Sequence, residues 1–179
     1  EMCIRDSANT RLVRTDSVND PDILRIVADA EPDCLVVIAF GQKIGPGLLE
    51  ERFAVNLHGS VLPRWRGAAP INRAMMAGDP TSGVSVISLA ERMDAGAIHA
   101  TRETAIDPAE TAGELHDRLA LLGPEVLAEV LDRFAEGIIR TMDQDDRLAT
   151  HAAKLSRKDA TVDFSVPAET VRAMVHGLV

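Results

Sequence analysis

Asn56 and His58 stand two residues apart at the end of a short apolar run, Ala54–Leu57, that reads as a strand. Strand geometry sends alternate side chains to opposite faces, so the amide and the imidazole emerge on the same side. Ligands of open α/β sheets collect beyond the carboxyl ends of the strands, which is where this pair is expected. An amide donor beside an imidazole suits an oxygen that gains negative charge, and the imidazole also moves a proton near neutral pH. The same two side chains would equally serve to satisfy backbone groups of the loop that follows. Asp94, in the turn Met93-Asp94-Ala95-Gly96, offers a carboxylate that orients an imidazole or takes a proton, although a turn aspartate commonly serves only its turn. Spacing alone does not bring Asp94 to His58.

A second kind of chemistry is suggested by the stretch Ala54–Gly78, which holds Arg64, Arg66 and Arg73 and no acidic residue. Arg64-Trp65-Arg66 sets two guanidinium groups about the only tryptophan of the chain. That grouping is either a platform for a phosphate or a base, or a tryptophan packed on its own loop between solvated arginines. Other chemistries fit poorly. Gly41, Gly45 and Gly47 miss the GxGxxG spacing, and no phosphate-binding GK[ST] loop occurs. His58-Gly59-Ser60 with Asp94 lacks the GxSxG elbow of a Ser-His-Asp hydrolase. His58, His99 and Asp94 form no metal-binding pattern of the HExxH type, so no metal is expected. His116, His151 and His176 read as structural.

The elements that must position these groups follow from capping signals and periodicity. Asn19-Asp20-Pro21 predicts a helix start with a capping side chain, and the helix runs to Pro32. Cys34–Phe40 (CLVVIAF) is continuously apolar and predicts a strand covered on both faces. A short helical turn over Leu48–Arg52, the strand Ala54–Leu57 and a loop over 59–68 come next. Pro70 opens a helix that Gly78-Asp79-Pro80 closes, and strands follow over Val84–Leu89 and Ala97–Thr104. Thr111-Ala112-Gly113-Glu114 has the capping-box form, and Leu115, Leu119 and Leu122 share one face of its helix. Gly123-Pro124 is expected to break that helix and start another, with Val126, Leu127, Val130, Leu131 and Phe134 inward. Pro167–Val175 predicts one more amphipathic helix. The order predicts an α/β fold with a mostly parallel sheet and helices on both faces.

Composition bounds the rest. With 179 residues, 46% hydrophobic and 26% charged, the chain has material for a core, which excludes a disordered or fibrous protein. No apolar run approaches the roughly 20 residues that span a bilayer, so no membrane partner is expected. Cys3 and Cys34 make neither a CxxC nor a zinc pattern, and the expected home is a reducing cytoplasm. A formal charge of −9 excludes nucleic-acid binding through the overall field, but not through a local patch. Glu1–Ser7 matches no element leading into the fold and is expected to be a foreign leader.

The run Asn56-Leu57-His58-Gly59-Ser60-Val61-Leu62-Pro63-Arg64-Trp65-Arg66-Gly67-Ala68-Ala69-Pro70-Ile71 resembles the signature of the methionyl-tRNA formyltransferase family. Gly78-Asp79, Thr81-Ser82-Gly83-Val84 and Met93-Asp94-Ala95-Gly96 follow in the family's order and spacing. Val36-Val37-Ile38-Ala39-Phe40-Gly41 resembles the strand leading into its folate pocket, with Phe40 where tyrosine is more usual. Lys154-Leu155-Ser156 and Val162-Asp163-Phe164 resemble the segment linking the family's two domains. N-x-H with a later D-x-G is common to folate-dependent formyltransferases and formyl-folate hydrolases. PRWRGAAPI is narrower and points to the tRNA-acting branch.

The resemblance implies a Rossmann-like domain at 8–150, with its first strands missing. It also implies a linker at 151–179 toward an absent C-terminal tRNA-binding domain. It implies transfer of a formyl group from 10-formyltetrahydrofolate, as donor cosubstrate, to the α-amino group of methionyl initiator tRNA by a monomer. Position by position, Asn56, His58 and Asp94 match the catalytic trio. Ser60, Val61, Leu62 and Pro63 match the stretch that contacts the folate, and Arg64, Trp65 and Arg66 are expected to meet the nucleic acid. Formyl-folate hydrolysis and sugar-amine formylation share the trio and stand as alternatives, as does an inactive, truncated RNA- or folate-binding module.

Overall fold

The computed structural model describes residues 12–50 and 52–179, so the expected leader at 1–7 lies outside the described residues. The chain divides into two compact units, Glu1–Leu35 with Gly41–Phe53, and Val36–Phe40 with Ala54–Val179.

In the first unit, helix α1 (Pro21–Asp29) starts on a proline, whose missing N–H is no loss in a first turn. Asp20 occupies the cap position but makes no side-chain cap bond, contrary to the expected cap. The polar side chain beside it is used elsewhere. Asn19 accepts from the Gly45 nitrogen at 2.7 Å and donates to the Lys43 carbonyl at 2.8 Å, tying the α1 entry to the glycine loop. Helix α2 (Pro46–Leu49) is a single turn as expected but lies earlier than the expected Leu48–Arg52, starting on Pro46, with Leu48 buried and Gly47 against Leu24.

The second unit carries most of a four-stranded sheet. Its order is β1-β2-β4-β5, with β1 at Cys34–Ile38, β2 at Phe53–His58, β4 at Thr81–Ser88 and β5 at Ile98–Ala105. Between β2 and β4 come the two-residue strand β3 (Arg66–Gly67) and helix α3 (Pro70–Met76). The α/β class is as expected. The described ladders within the sheet, however, are antiparallel: His58 pairs with Ser85, and Val84 with Arg102. For β4 and β5 the reason is the connection, since a short turn joins antiparallel neighbours whereas parallel ones need a long crossover. Among the described ladders a parallel one joins β3 to β6 (His151–Ala152), outside the sheet. Strand β1 also departs from the expected burial. Val36 and Ile38 are 39% and 55% exposed, since β1 ends the strand order and the long helix packs over other strands.

That helix, α4 (Ala112–Ala135), begins at the expected capping box: Thr111 Oγ1 accepts from the Glu114 nitrogen, and Glu114 accepts from the Thr111 nitrogen at 2.8 Å. The Thr111 nitrogen and then the Thr111 hydroxyl, both donating to the Glu114 carboxylate, hold it below its ordinary range. The expected break at Gly123-Pro124 does not occur, because one helix runs through it. Leu115, Leu119, Gly123, Val126 and Val130 are buried as one continuous stripe, and burial on both sides of Pro124 outweighs one lost backbone bond. Gly123 lies against Leu57 of β2, and a Cβ there would come within 2.7 Å of it.

Alternation then assigns the faces. Val55 and Leu57 lie toward α4, with Val86 opposite Leu57 and Val84 two residues before it on the same face, whereas Asn56, His58, Ser85 and Ile87 lie on the other face. On that second face Leu62, Ile87 and Ile98 form a buried cluster. Helix α5 (Ala168–His176), where an amphipathic helix is expected, packs on α3, and Asn72 donates to the Gly177 carbonyl at 2.8 Å.

Candidate active site

The loop after β2 folds back over the Asn56 and His58 face. Ser85 Oγ donates to the Ser60 carbonyl at 2.8 Å and accepts from the Leu62 nitrogen at 3.1 Å, pinning the loop from the neighbouring strand. Ser60 Oγ donates to the Arg64 carbonyl at 2.7 Å. Ser60 and Leu62 are therefore buried, and Val61 sits over Gly83, whose missing Cβ leaves it room. Thr150 Oγ1 accepts from the Trp65 nitrogen at 2.8 Å and holds the far side of the loop.

Asn56, His58 and Asp94 come together on this face. The turn between β4 and β5 bends back so that Asn56 Nδ2 donates to Asp94 Oδ1 at 3.3 Å and the Gly67 nitrogen donates to Asp94 Oδ2 at 2.8 Å. His58 Nδ1 faces Asp94 Oδ2 at 3.6 Å, with the imidazole 7% and the carboxylate 12% exposed. His58 Nε2 lies 2.9 Å from the Trp65 carbonyl. A carbonyl only accepts, so Nε2 carries the hydrogen of that bond. Asp94 has φ +52°, a left-handed conformation that costs a non-glycine residue about 1–3 kcal/mol and persists where its surroundings hold it.

Sequence reasoning missed the group behind that turn. Gln144 Nε2 donates to the carbonyls of Asp94 and Gly96 at 2.8 and 2.7 Å, and its Oε1 accepts from Arg66 Nε and Nη2 at 2.9 and 2.8 Å. The run TMDQDDR shows only charge, and no local motif marks an amide that acts across the fold.

The arginines of the basic stretch are each matched by an aspartate. Arg64 donates to both oxygens of Asp79 at 2.8 Å and lies over the Trp65 ring, while Trp65 Nε1 donates to Asp79 Oδ2 at 2.7 Å. Arg66, expected to meet nucleic acid, is 7% exposed, and its guanidinium turns inward to Gln144 and to Asp146 at 2.8 Å. Hydrogen bonds from Arg92, and then from Arg66, hold the Asp146 carboxyl below its ordinary range. Arg73 pairs with Asp159 at 2.6 Å, and that bond is the main cause of the low Asp159 pKa. The apparent basic island is thus largely cancelled at close range. Arg64 keeps half of its side chain in solvent.

A cleft of about 370 Å³ opens beside the loop, lined by Ser60, Val61, Arg64, Trp65, Asp79 and Glu103 among others. It takes in part of the expected folate-contacting stretch and the outer face of the Arg64–Trp65 pair, but not Asn56, His58 or Asp94. Among the described residues no group of three or more His, Cys, Asp or Glu is placed to hold a metal ion, and no helix is long and apolar enough to cross a membrane.

The α/β sheet, the folded-back loop and the Asn-His-Asp cluster define a class, and residues 4–131 match the family model described as formyl transferase. The chain belongs to the formyl transferase family. It is 44% identical over 161 residues to the methionyl-tRNA formyltransferase of Chromohalobacter salexigens, covering 89% of this chain and 50% of that protein. It is 42% identical over 164 residues to that of Nitratidesulfovibrio vulgaris strain Hildenborough, covering 90% and 50%. The chain therefore spans about half the length of the curated relatives it matches. Among solved structures, a 4-N formyltransferase from Francisella tularensis has the same fold, with a TM-score of 0.80 at 13% identity, over 99% of this chain and 72% of that one. HypX from Aquifex aeolicus in complex with tetrahydrofolic acid superposes with a TM-score of 0.75 at 21% identity, over 88% and 28%.

Proposed function

We propose that this chain carries the catalytic centre for moving a formyl group from 10-formyltetrahydrofolate to the α-amino group of methionyl initiator tRNA. The observation that carries the reading is the meeting of Asn56, His58 and Asp94 beneath the loop Ser60–Arg66. Relatives called methionyl-tRNA formyltransferase at 42–44% identity support the choice of acceptor, and the tetrahydrofolate complex of HypX supports the choice of donor.

In this reading the uncharged α-amine attacks the formyl carbon, and an N–C bond forms as the carbonyl oxygen becomes an oxyanion. Asn56 and His58 donate hydrogen bonds to that oxygen. The His58 Nε2 hydrogen leaves the Trp65 carbonyl for it, a favourable exchange because a charged acceptor forms the stronger bond. The bond from the formyl carbon to the folate N10 then breaks. The proton lost by the amine passes by way of the Asp94 carboxylate to N10 of the departing tetrahydrofolate, so that His58 keeps its Nε2 hydrogen on the oxyanion. Ser60, Val61, Leu62 and Pro63 shape the folate side largely through backbone, since Ser60 and Leu62 turn inward. Arg64 and Trp65 supply the rim that meets the acceptor end.

The test is an assay of the purified chain with radiolabelled 10-formyltetrahydrofolate and charged initiator tRNA, beside a sugar amine, a simple amine and water alone. Label entering methionyl-tRNA is expected. Label entering only the sugar amine, or released only as formate, would replace this reading with one of the other formyl-transfer chemistries. Folate binding without turnover would leave a binding module.

A further inference from the structure

We propose that Gln144 is a positioning residue for Asp94, acting from behind the turn to hold the carboxylate against His58. The inference rests on the reading of Asp94 given above and adds a residue to it.

Gln144 has all of its hydrogen-bonding capacity directed. Its two amide hydrogens go to the carbonyls of Asp94 and Gly96, on either side of Ala95. Its oxygen takes the fork of Arg66, and because a guanidinium only donates, the amide has one orientation. Gln144 is itself fixed in register. Met142, two residues before it, exchanges backbone bonds with Ile98 at 2.8 and 2.9 Å, which ties the segment to the start of β5. Arg66 is fixed by burial and by Asp146.

The chain of contacts closes on itself. Arg66 adjoins Gly67, and the Gly67 nitrogen donates to the Asp94 carboxylate. Asp94 is thus gripped at its side chain by Asn56 and Gly67 and at its backbone by Gln144, while its φ stays left-handed. Removing the rear grip frees the turn to relax to an ordinary backbone conformation and carries the carboxylate away from His58.

Gln144→Glu separates this role from general support. It keeps oxygen acceptors for Arg66, and it removes both hydrogens that reach the Asp94 and Gly96 carbonyls. The measurements are kcat and KM for formyl transfer, the melting temperature, and hydrogen exchange at the Gly67 amide. Displacement of a positioned group by a fraction of an ångström to an ångström is expected to lower kcat about 10- to 100-fold, with KM changed by less than about twofold. Gly67 exchange is expected to quicken while the β4 amides stay protected. Unaltered kcat with unaltered Gly67 exchange would overturn the inference. So would loss of the folded state, which would make Gln144 part of the framework instead. If the unaltered chain shows no formyl transfer, the functional reading fails, and Gly67 exchange alone decides whether Gln144 holds Asp94.

Discussion

The carboxylate of Asp94 lies 3.6 Å from Nδ1 of His58, one side chain delivered by a turn and the other by a strand. That separation is longer than a hydrogen bond, and the closest bond of the carboxylate goes to Gly67, so in the proposed reaction Asp94 would act on the imidazole through its charge. Asp94→Asn leaves an oxygen for the Gly67 nitrogen and tolerates the left-handed backbone, yet removes the charge. Formyl transfer is expected to fall about 10²–10⁴-fold in kcat with the fold intact, which steady-state kinetics and circular dichroism together would check. Unchanged turnover would take the carboxylate out of the proton path.

Asn56 contributes a neutral donor and no charge. Asn56→Ala is expected to lower kcat by about 10²–10³-fold, the usual effect of losing one oxyanion donor. A rise in KM alone would instead assign Asn56 to ground-state binding.

Gly96 closes the turn that carries Asp94, and a Cβ there would run into the Ser88 carbonyl oxygen. Backbone cannot yield as a side-chain tip can. Gly96→Ala is therefore expected to cost about 1–3 kcal/mol of stability, in the range of overpacking. It should also reduce activity by more than the stability loss accounts for, as seen by comparing denaturant melts with turnover of the folded fraction.

Pro124 removes a backbone bond inside α4 while standing exposed on its outer side. Pro124→Ala restores that bond, and the gain of about 3 kcal/mol is offset by about 1 kcal/mol from a more flexible unfolded chain. A net rise in stability of about 2 kcal/mol is expected in urea melts. A fall would show that the proline ring itself supports the helix.

His99 gives a pH dependence. It is 8% exposed, with Nε2 at 2.8 Å from Ser88 Oγ; burial first, and then the charge of Arg133, lower its pKa below 6.5. The folded state therefore binds fewer protons than the unfolded state just below that value. Its contribution to stability is present above pH 6.5 and is lost as pH falls through the lowered pKa. Melting temperatures are expected to drop between about pH 7 and pH 5, and the drop should be smaller in His99→Gln. An identical slope in the variant would assign the pH dependence to other groups.

The legible parts of the molecule were those written locally. The Thr111–Glu114 box, the proline at the start of α3 and the apolar runs of β2 and β4 each carry their structure within a few residues. The pairing of Asn56 with His58 on one face was legible for the same reason, since alternation is a property of any strand. Pro124 misled because a glycine-proline pair is a strong local stop, whereas the buried stripe that overrides it is set by packing on the sheet. Asp94, Gln144 and Thr150 could not be placed, because what joins them to the site is a set of bonds across the fold between segments remote in sequence. Charge was legible in total and misleading in place. Arg64, Arg66 and Arg73 look free in sequence because the aspartates that answer them lie beyond the stretch that contains them.

Asp79 and a second carboxylate, Asp94, flank a single strand. Asp79 precedes β4 and seizes the Arg64–Trp65 end of the loop; Asp94 follows β4 and seizes its Gly67 end. Strand β4 thereby acts as a ruler, with its length setting how far the exposed Arg64–Trp65 rim stands from the Asp94 turn. Two residues added to or taken from β4, a change that keeps every side chain on its face, would alter the span without altering either end. Under the proposed function, acceptor choice and turnover would then drift apart, although every side chain in both places is kept.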